Sequence, residues 1–412
     1  MKKISCLCGL LILLSGVQVM GESRVIKSAE EAVRFGLENS PEIEMQALLL
    51  AGQRELPKKI GSLSDPKIGL RLNGSPSKMS SHSVDQKRVY INQSFPFIGE
   101  LSRKRKMAES RVLAAEISFL MVRNKVVLEI QQLYFQLIRN RDLHLIAEKN
   151  KKILENLISI ADIKYRSGKT LQANVLKARV SKSKIDEKIL QLKHTKVLLT
   201  QELRRAIGIS PEDKMDLVLD YPALLTFPSG DQIGRLVSET LAVRHAKAMQ
   251  KSSAGAVNVE KDRFLPDFSA QLEYWDNSGM ANQMGGQVAM TVPWLNTKNA
   301  ASLKSSEAVR DAGSQNVLGQ KNKTRSVLLT LISELETVDA TMQLYESHLL
   351  KDAMLSLSSF QHAFEVDKAS FLDYFEAEKT LFSLDLDFAN LQSRSHALRA
   401  KLNAQFEKGG RL

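Results

Sequence analysis

Two carboxylates, Asp373 and Glu376, stand three residues apart in the stretch FEVDKASFLDYFEA, Phe364 to Ala377. On a helix that spacing puts them on one face. Such a pair is either a solvated acidic face or a place where cations collect. An earlier stretch, YRSGKTLQANVLKA, Tyr165 to Ala178, has the same layout, with Asn174 and Lys177 at the corresponding positions. Each stretch contains a short break, at Gly168 and at Asp367, inside a segment that otherwise reads as unbroken helix. Glycine supplies the positive φ that ends one helix and starts the next. Aspartate tolerates that conformation better than most residues.

Little else in the chain looks like reactive chemistry. The seven histidines show no HxxxH or HExxH spacing, so no metal site is expected. There is no Gly-rich phosphate loop and no nucleophile motif, and no cofactor is expected. The RKRK cluster at 103–106 is of a kind that can bind nucleic acid, but its position after a strand suits a solvated helix or a membrane boundary, and no nucleic acid is expected.

The N-terminus reads as that of an exported chain. MKKISCLCGLLILLSGVQVMGES has two lysines, an apolar run from Ile4 to Leu14, and Val19 and Gly21 before a polar stretch. This is the layout of a signal peptide over 1–21, cleaved after Gly21. Both cysteines, Cys6 and Cys8, lie within it, so the mature chain would have neither disulfide nor thiol. No later run reaches 18 apolar residues, and no transmembrane helix is expected. The formal net charge of +12 reads mainly as solvated helical surface.

The elements that position the two breaks come in duplicate. All ten prolines fall between Pro41 and Pro96 or between Pro211 and Pro293, leaving 97–210 and 294–412 free of them. Proline breaks helix interiors, so two helical halves alternate with two extended zones. Those zones correspond at an offset of about 200 residues, as an internal duplication requires. LSDPKIGLRLNGSP matches RFLPDFSAQLEYWDNSG, and VYINQSFPFIGELSRKRKMAES matches GQVAMTVPWLNTKNAASLKSSEA. The expected organisation is a first repeat over 22–210, a connecting segment over 211–229, a second repeat over 230–408 and a tail over 409–412.

Within each repeat a lead-in helix precedes a hairpin, about 65–97 in the first and 266–294 in the second. Ile68, Leu70 and Leu72 alternate with Lys67, Gly69, Arg71 and Asn73, and Phe268, Ala270, Leu272 and Tyr274 alternate with Ser269, Gln271, Glu273 and Trp275. That period of two marks strands of about ten residues. Long helices follow, over about 101–164 and 300–364, with return helices after each break. Leu143, Ile146, Asn150, Ile153, Leu157 and Ile160 form one 3-4 seam. Val175, Ala178, Lys182, Ile185, Ile189, Leu192, Lys196, Leu199 and Leu203 form another, so the two should pack as an antiparallel coiled coil.

Strands of ten residues tilted near 45° cross a bilayer, where every strand edge must be paired. Four strands cannot close a barrel, since the smallest membrane barrels use about eight; three chains together would supply twelve. The other reading is a soluble α+β protein whose hairpins pack on a coiled-coil body.

The duplicated order of lead-in helix, hairpin, long helix, YxxG turn and return helix resembles the TolC-like outer-membrane efflux proteins. AEEAVRFGLENSPEI, QSFPFIGELSRKRKMA and LTQELRRAIGIS carry the resemblance. The segments Phe95–Gly99 and Pro293–Asn296 look closest to its metal-efflux branch. The resemblance implies a mainly α chain with a small β part. Three such chains form a 12-stranded transmembrane barrel continued by a periplasmic helical tunnel. It implies a homotrimer in outer-membrane lipid, a periplasmic adaptor, an inner-membrane pump, and a passive gated exit duct. It also implies that the turn Tyr165, Arg166, Ser167, Gly168, Lys169 and Thr170 receives the adaptor, together with Asp367 and Lys368 in the second turn. Asp373 and Glu376 then correspond to a constriction of paired aspartates facing the axis. Two departures stand out, Asp367 in place of the usual glycine and Glu376 in place of the second aspartate. The rival from another class is a soluble periplasmic coiled-coil adaptor or scaffold.

Overall fold

The computed structural model describes residues 24–74, 84–210, 215–224, 233–277, 281–295 and 297–406. The expected signal peptide and tail lie outside these residues. The described chain is mainly helical. In order it runs β1 (Arg24–Ile26), α1 (Ala29–Asn39), α2 (Pro41–Ile60), β2 (Lys67–Gly74), β3 (Val84–Phe95), α3 (Glu100–Arg166) and α4 (Gln172–Ile207). Then come β4 (Met215–Leu217), α5 (Ile233–Glu239), α6 (Leu241–Asp262), β5 (Phe268–Asn277), β6 (Gln283–Met290), α7 (Lys298–Leu344), α8 (Leu350–Glu365) and α9 (Phe371–Asn403).

Two expectations need correction. The lead-in is a pair of helices in each half, because the chain turns extended at Ser40, with Pro41 opening α2, and again at Thr240. The helix expected over 300–364 is interrupted by a π-helical turn, Tyr345–Leu349, which widens one turn between α7 and α8.

Helix α3 has 67 residues, a length of about 100 Å. It packs on α4 along one side and on α9 along another. Its buried stripe is therefore wider than a single seam. Leu143, Ala147, Leu154, Leu157 and Ala161 are buried with Val175, Ala178, Ile185, Ile189 and Leu192 of α4 and with Phe371, Tyr374, Phe375 and Leu381 of α9. A second cluster joins α1, α3, the end of α4 and the parallel pair β1–β4 around Ile130, Tyr134 and Phe135. Tyr134 donates to the carbonyl of Val218, and Arg141 to that of Leu219, which straps the segment after β4 to α3.

The two hairpins join edge to edge. β3 pairs antiparallel with β5, so the sheet runs β2-β3-β5-β6, with β2 and β6 as its outer edges. The register aligns Ile68 with Ile91, Ile91 with Leu272, and Ala270 with Val288, which gathers the apolar residues of all four strands on one face. Among the described residues nothing covers that face: Ile68 is 76%, Leu272 65%, Met284 83% and Val288 79% exposed. The opposite face is polar and knitted together. Arg88 pairs with Glu273 at 3.1 Å and lies 4.9 Å over the Trp275 ring. The Tyr90 ring fills the space above Gly69, where a Cβ would lie 2.4 Å from it, and Trp275 does the same over Gly285 at 2.7 Å.

Two glycines with the same φ of +75° contrast in their surroundings. A Cβ on Gly168 meets nothing within 4 Å, whereas one on Gly208 would lie 2.4 Å from the backbone oxygen of Asn39. Gly168→Ala is expected to cost only the left-handed strain of about 1–2 kcal/mol. Gly208→Ala must also push α1 away from α4, so its thermal midpoint, followed by far-UV circular dichroism, falls clearly further. Equal losses would contradict this packing.

Candidate functional site

The two breaks meet at one end of the helical body. After α3, Gly168 N–H donates to Tyr165 O at 2.9 Å and Lys169 N–H to Lys164 O at 2.8 Å. After α8, Asp367 N–H donates to Phe364 O at 3.3 Å and Lys368 N–H to Ala363 O at 2.7 Å. The second turn thus repeats these bonds of the first and adds one, from Ala369 N–H to Ala363 O at 3.1 Å. Asp367 adopts the φ of +62° that the turn demands, the sole positive φ outside glycine among the described residues.

Asp367 adds a link that glycine could not make. Its carboxylate receives Lys164 Nζ and Lys169 Nζ, both from the first turn. Lys164 is only 9% exposed, and its ammonium also lies 4.9 Å over the Phe364 ring. Hydrogen bonds from Lys164 and then Lys169 hold the Asp367 carboxyl down at about 2, so it is anionic at any pH near neutrality. The turns therefore act as one pinned unit, with a cleft lined by Thr170, Leu171, Asn174, Ser370 and Phe371 between them.

Asp373 and Glu376 do share a face, as their spacing requires. Both border a groove of about 520 Å³ between α8 and α9 that also takes in Asp352 and Phe360. Asp373 has a local duty as well. Its Oδ2 accepts the Ser370 hydroxyl at 2.7 Å and the Ser370 N–H at 3.0 Å, while Asp373 N–H donates back to Ser370 Oγ, completing a capping box at the start of α9. Those bonds lower its pKa. Glu376 is exposed and 3.3 Å from Lys379. In the first repeat, Asn174 donates to Thr170 Oγ1 at 2.9 Å, and the Lys177 ammonium sits 5.0 Å over the Phe375 ring. The basic cluster at 103–106 is largely neutralised, since Arg103 pairs with Asp262, Lys104 with Glu100 and Arg105 with Glu109.

Similarity to known proteins follows this architecture. The family model described as "Outer membrane efflux protein" matches residues 36–209. No curated protein sequence matches the chain significantly. Among solved structures, the outer-membrane channel OprN superposes with a TM-score of 0.80 at 14% identity, covering 93% of this chain and 90% of that one. The outer-membrane protein VceC of Vibrio cholerae gives 0.74 at 19% identity, covering 93% and 96%. CusC, a channel-forming protein, gives 0.78 at 15% identity, covering 91% of each chain. The chain has the TolC-like channel fold.

Inside that fold lies a residue that the sequence reading passed over. Glu378 is 2% exposed, between α9 and α3, and accepts a hydrogen bond from Asn150 Nδ2. Its Oε2 and the Asn150 Oδ1 have no hydrogen-bond partner. Burial pushes the carboxyl up to about 7, against the smaller opposing effects of Asn150 and Lys379. The signal was available: Phe371, Tyr374, Phe375, Glu378 and Leu381 follow a 3-4 repeat, and Glu378 is its one charged member.

The folded chain holds the Glu378 proton more tightly than an unfolded chain, whose carboxyl titrates near 4.5. Ionisation therefore costs stability, starting above that value and reaching its full extent once pH passes about 7. Glu378→Gln removes the cost, and is expected to stabilise by up to about 3 kcal/mol at pH 8 and by little at pH 4. Thermal midpoints at the two pH values check it. A gain that does not depend on pH would show that Glu378 stays protonated or is solvated.

Proposed function

We propose that the chain is one subunit of an outer-membrane exit duct, exported after removal of residues 1–21. Three copies share a twelve-stranded barrel, and the long helices of the two repeats, 22–210 and 230–408, prolong it into the periplasm as a tunnel. The observation that carries this reading is the sheet. Among the described residues its apolar face is uncovered, its opposite face is polar, and both outer edges are unpaired. In water such a sheet invites aggregation. In lipid it is what a barrel wall requires, provided other chains close the edges. The matched family model, over residues 36–209, supports the same assignment.

The duct is passive, and an inner-membrane pump supplies the energy through a periplasmic adaptor. The adaptor docks at the tip formed by Tyr165, Arg166, Ser167, Gly168, Lys169 and Thr170 with Asp367 and Lys368, where the equivalent backbone turns support a shared role. The leaning toward metal cargo rests on the Phe95–Gly99 and Pro293–Asn296 segments alone. A soluble adaptor, the rival reading, needs neither two helical hairpins nor an uncovered four-stranded sheet. Membrane fractionation with heat-modifiable gel mobility separates the two. The duct runs as a heat-sensitive trimer from the outer-membrane fraction, while a detergent-free soluble monomer would overturn it.

Asp373 and Glu376 are the proposed constriction. Gathered from three copies they make a ring of carboxylates that attracts cations. In planar bilayers, Asp373→Ala with Glu376→Ala is expected to raise single-channel conductance and weaken block by divalent cations. Wild-type conductance in the double variant would remove the pair from the pore.

A further inference from the structure

The seam between α3 and α4 is mostly apolar, but one of its polar layers opens into a cavity. The helices run antiparallel, so seam positions pair inward from the turn. Leu143 shares a layer with Leu192, and Leu137 one with Leu199. Between them, Asn140 falls opposite Lys196. Lys196 holds a position where the seam pattern calls for a buried aliphatic, yet it is exposed. The space it leaves is a cavity of about 420 Å³ bounded by α3, α4 and the segment after β4.

Its walls are chemically divided. Leu137, Leu192, Leu217 and Leu219 make an apolar floor. The rim is basic, with Lys193 and Lys196 of α4 facing Arg141 of α3 beside His144, and no carboxylate lines it. Arg141 is engaged by Asp142 at 2.7 Å and Asp220 at 3.5 Å, and His144 lies 3.9 Å from Glu148. Lys193 and Lys196 have no acidic partner among the described residues, and their neighbour Asn140 is 5% exposed with no side-chain hydrogen bond among them. Asn140 lines the cavity, so its amide is available to a polar atom placed there.

We propose that this cavity binds a small organic anion with an apolar body, such as an aromatic or short alkyl sulfonate or carboxylate. The body lies on the leucine floor, the anionic group meets Lys193 and Lys196, and the Asn140 amide bonds a polar atom between them. Volumes of about 300–1,000 Å³ with a few convergent polar groups are typical of ligand sites. A bare phosphate would leave the floor wet, and a neutral hydrocarbon would leave two lysines unmatched. The site stands on its own geometry and does not depend on the duct reading.

Isothermal titration of the full chain in a neutral maltoside detergent, with naphthalene-2-sulfonate as probe, tests it. Saturable binding of one probe per chain is expected, with 2-naphthol and methanesulfonate each about tenfold weaker or worse, as expected for loss of a charge-assisted bond or of the buried apolar area. Lys193→Gln with Lys196→Gln should weaken the probe by a similar factor of about ten. Leu145→Glu, at the exposed rim, should weaken it too by adding a like charge, while Lys182→Gln on the same helix should leave it unchanged. Absence of saturable heat overturns the proposal. So does probe binding that ignores both rim variants, or methanesulfonate binding as tightly as the probe.

Discussion

A helix of 67 residues has to be held along its whole length by neighbours, because isolated helical stability in water is marginal and propensity alone does not set position. The constraint on this fold is that α3 must offer two buried stripes at once, one to α4 and one to α9. Small residues make this possible where the stripes converge. Ala147 and Ala161 are fully buried on α3, as is Ala178 on α4. The same helix also carries Ile130, Tyr134 and Phe135 against the β1–β4 pair. Helices α1, α2, α4, α6 and α9 all pack directly on α3, and α7 and α8 are held in turn by α6 and α9.

A long apolar seam has a weakness: it can slide by a heptad with little loss, and polar residues inside it are the usual way to fix register. This one contains three such points. Asn150 with Glu378 locks α3 against α9, Asn140 opposite Lys196 interrupts the contact with α4, and Lys164 with Asp367 closes the end. The three differ in chemistry. The first is desolvated and titrates near neutrality, the second opens a cavity, and the third stays ionised throughout the ordinary pH range. Register is thereby fixed by different forces at different heights along the body.

Much of this was legible in the residues. The strands followed from a strict period of two, and their register confirms which residues share a face. The long helices followed from the absence of proline. The π-helical turn at Tyr345–Leu349 did not, because no glycine or proline marks it; its Tyr345 ring instead stacks on Phe388 at 6.3 Å. Glu378 is not legible from the Asp373 and Glu376 pair, because the helix turns Glu378 inward and the other two outward. The Asp367 link was equally hidden, since its partners lie 203 and 198 residues away in the chain. Asp367 could be recognised as a tolerable substitute for glycine, but its role as an acceptor depends on a tertiary contact that local pattern does not encode.

The duplication also limits how copies of the chain can associate. Each repeat contributes a hairpin, and β3 with β5 seals the two together, so the unsatisfied edges belong to different repeats, β2 to the first and β6 to the second. Four antiparallel strands leave β2 and β6 pointing in opposite directions. If β6 of one copy meets β2 of the next, that junction is antiparallel like every other in the sheet. An odd number of strands would instead force a parallel junction at each boundary. Such a contact joins two different surfaces, and a head-to-tail contact either closes into a ring or runs on as a filament. The helices obey the same arrangement, since α4 flanks α3 on one side while α8 lies beyond α9 on the other. The edges left open by the sheet and the sides left open by the helical body thus belong to the same two repeats, so one rotation between copies can satisfy both. In the proposed duct, barrel and tunnel close together or not at all.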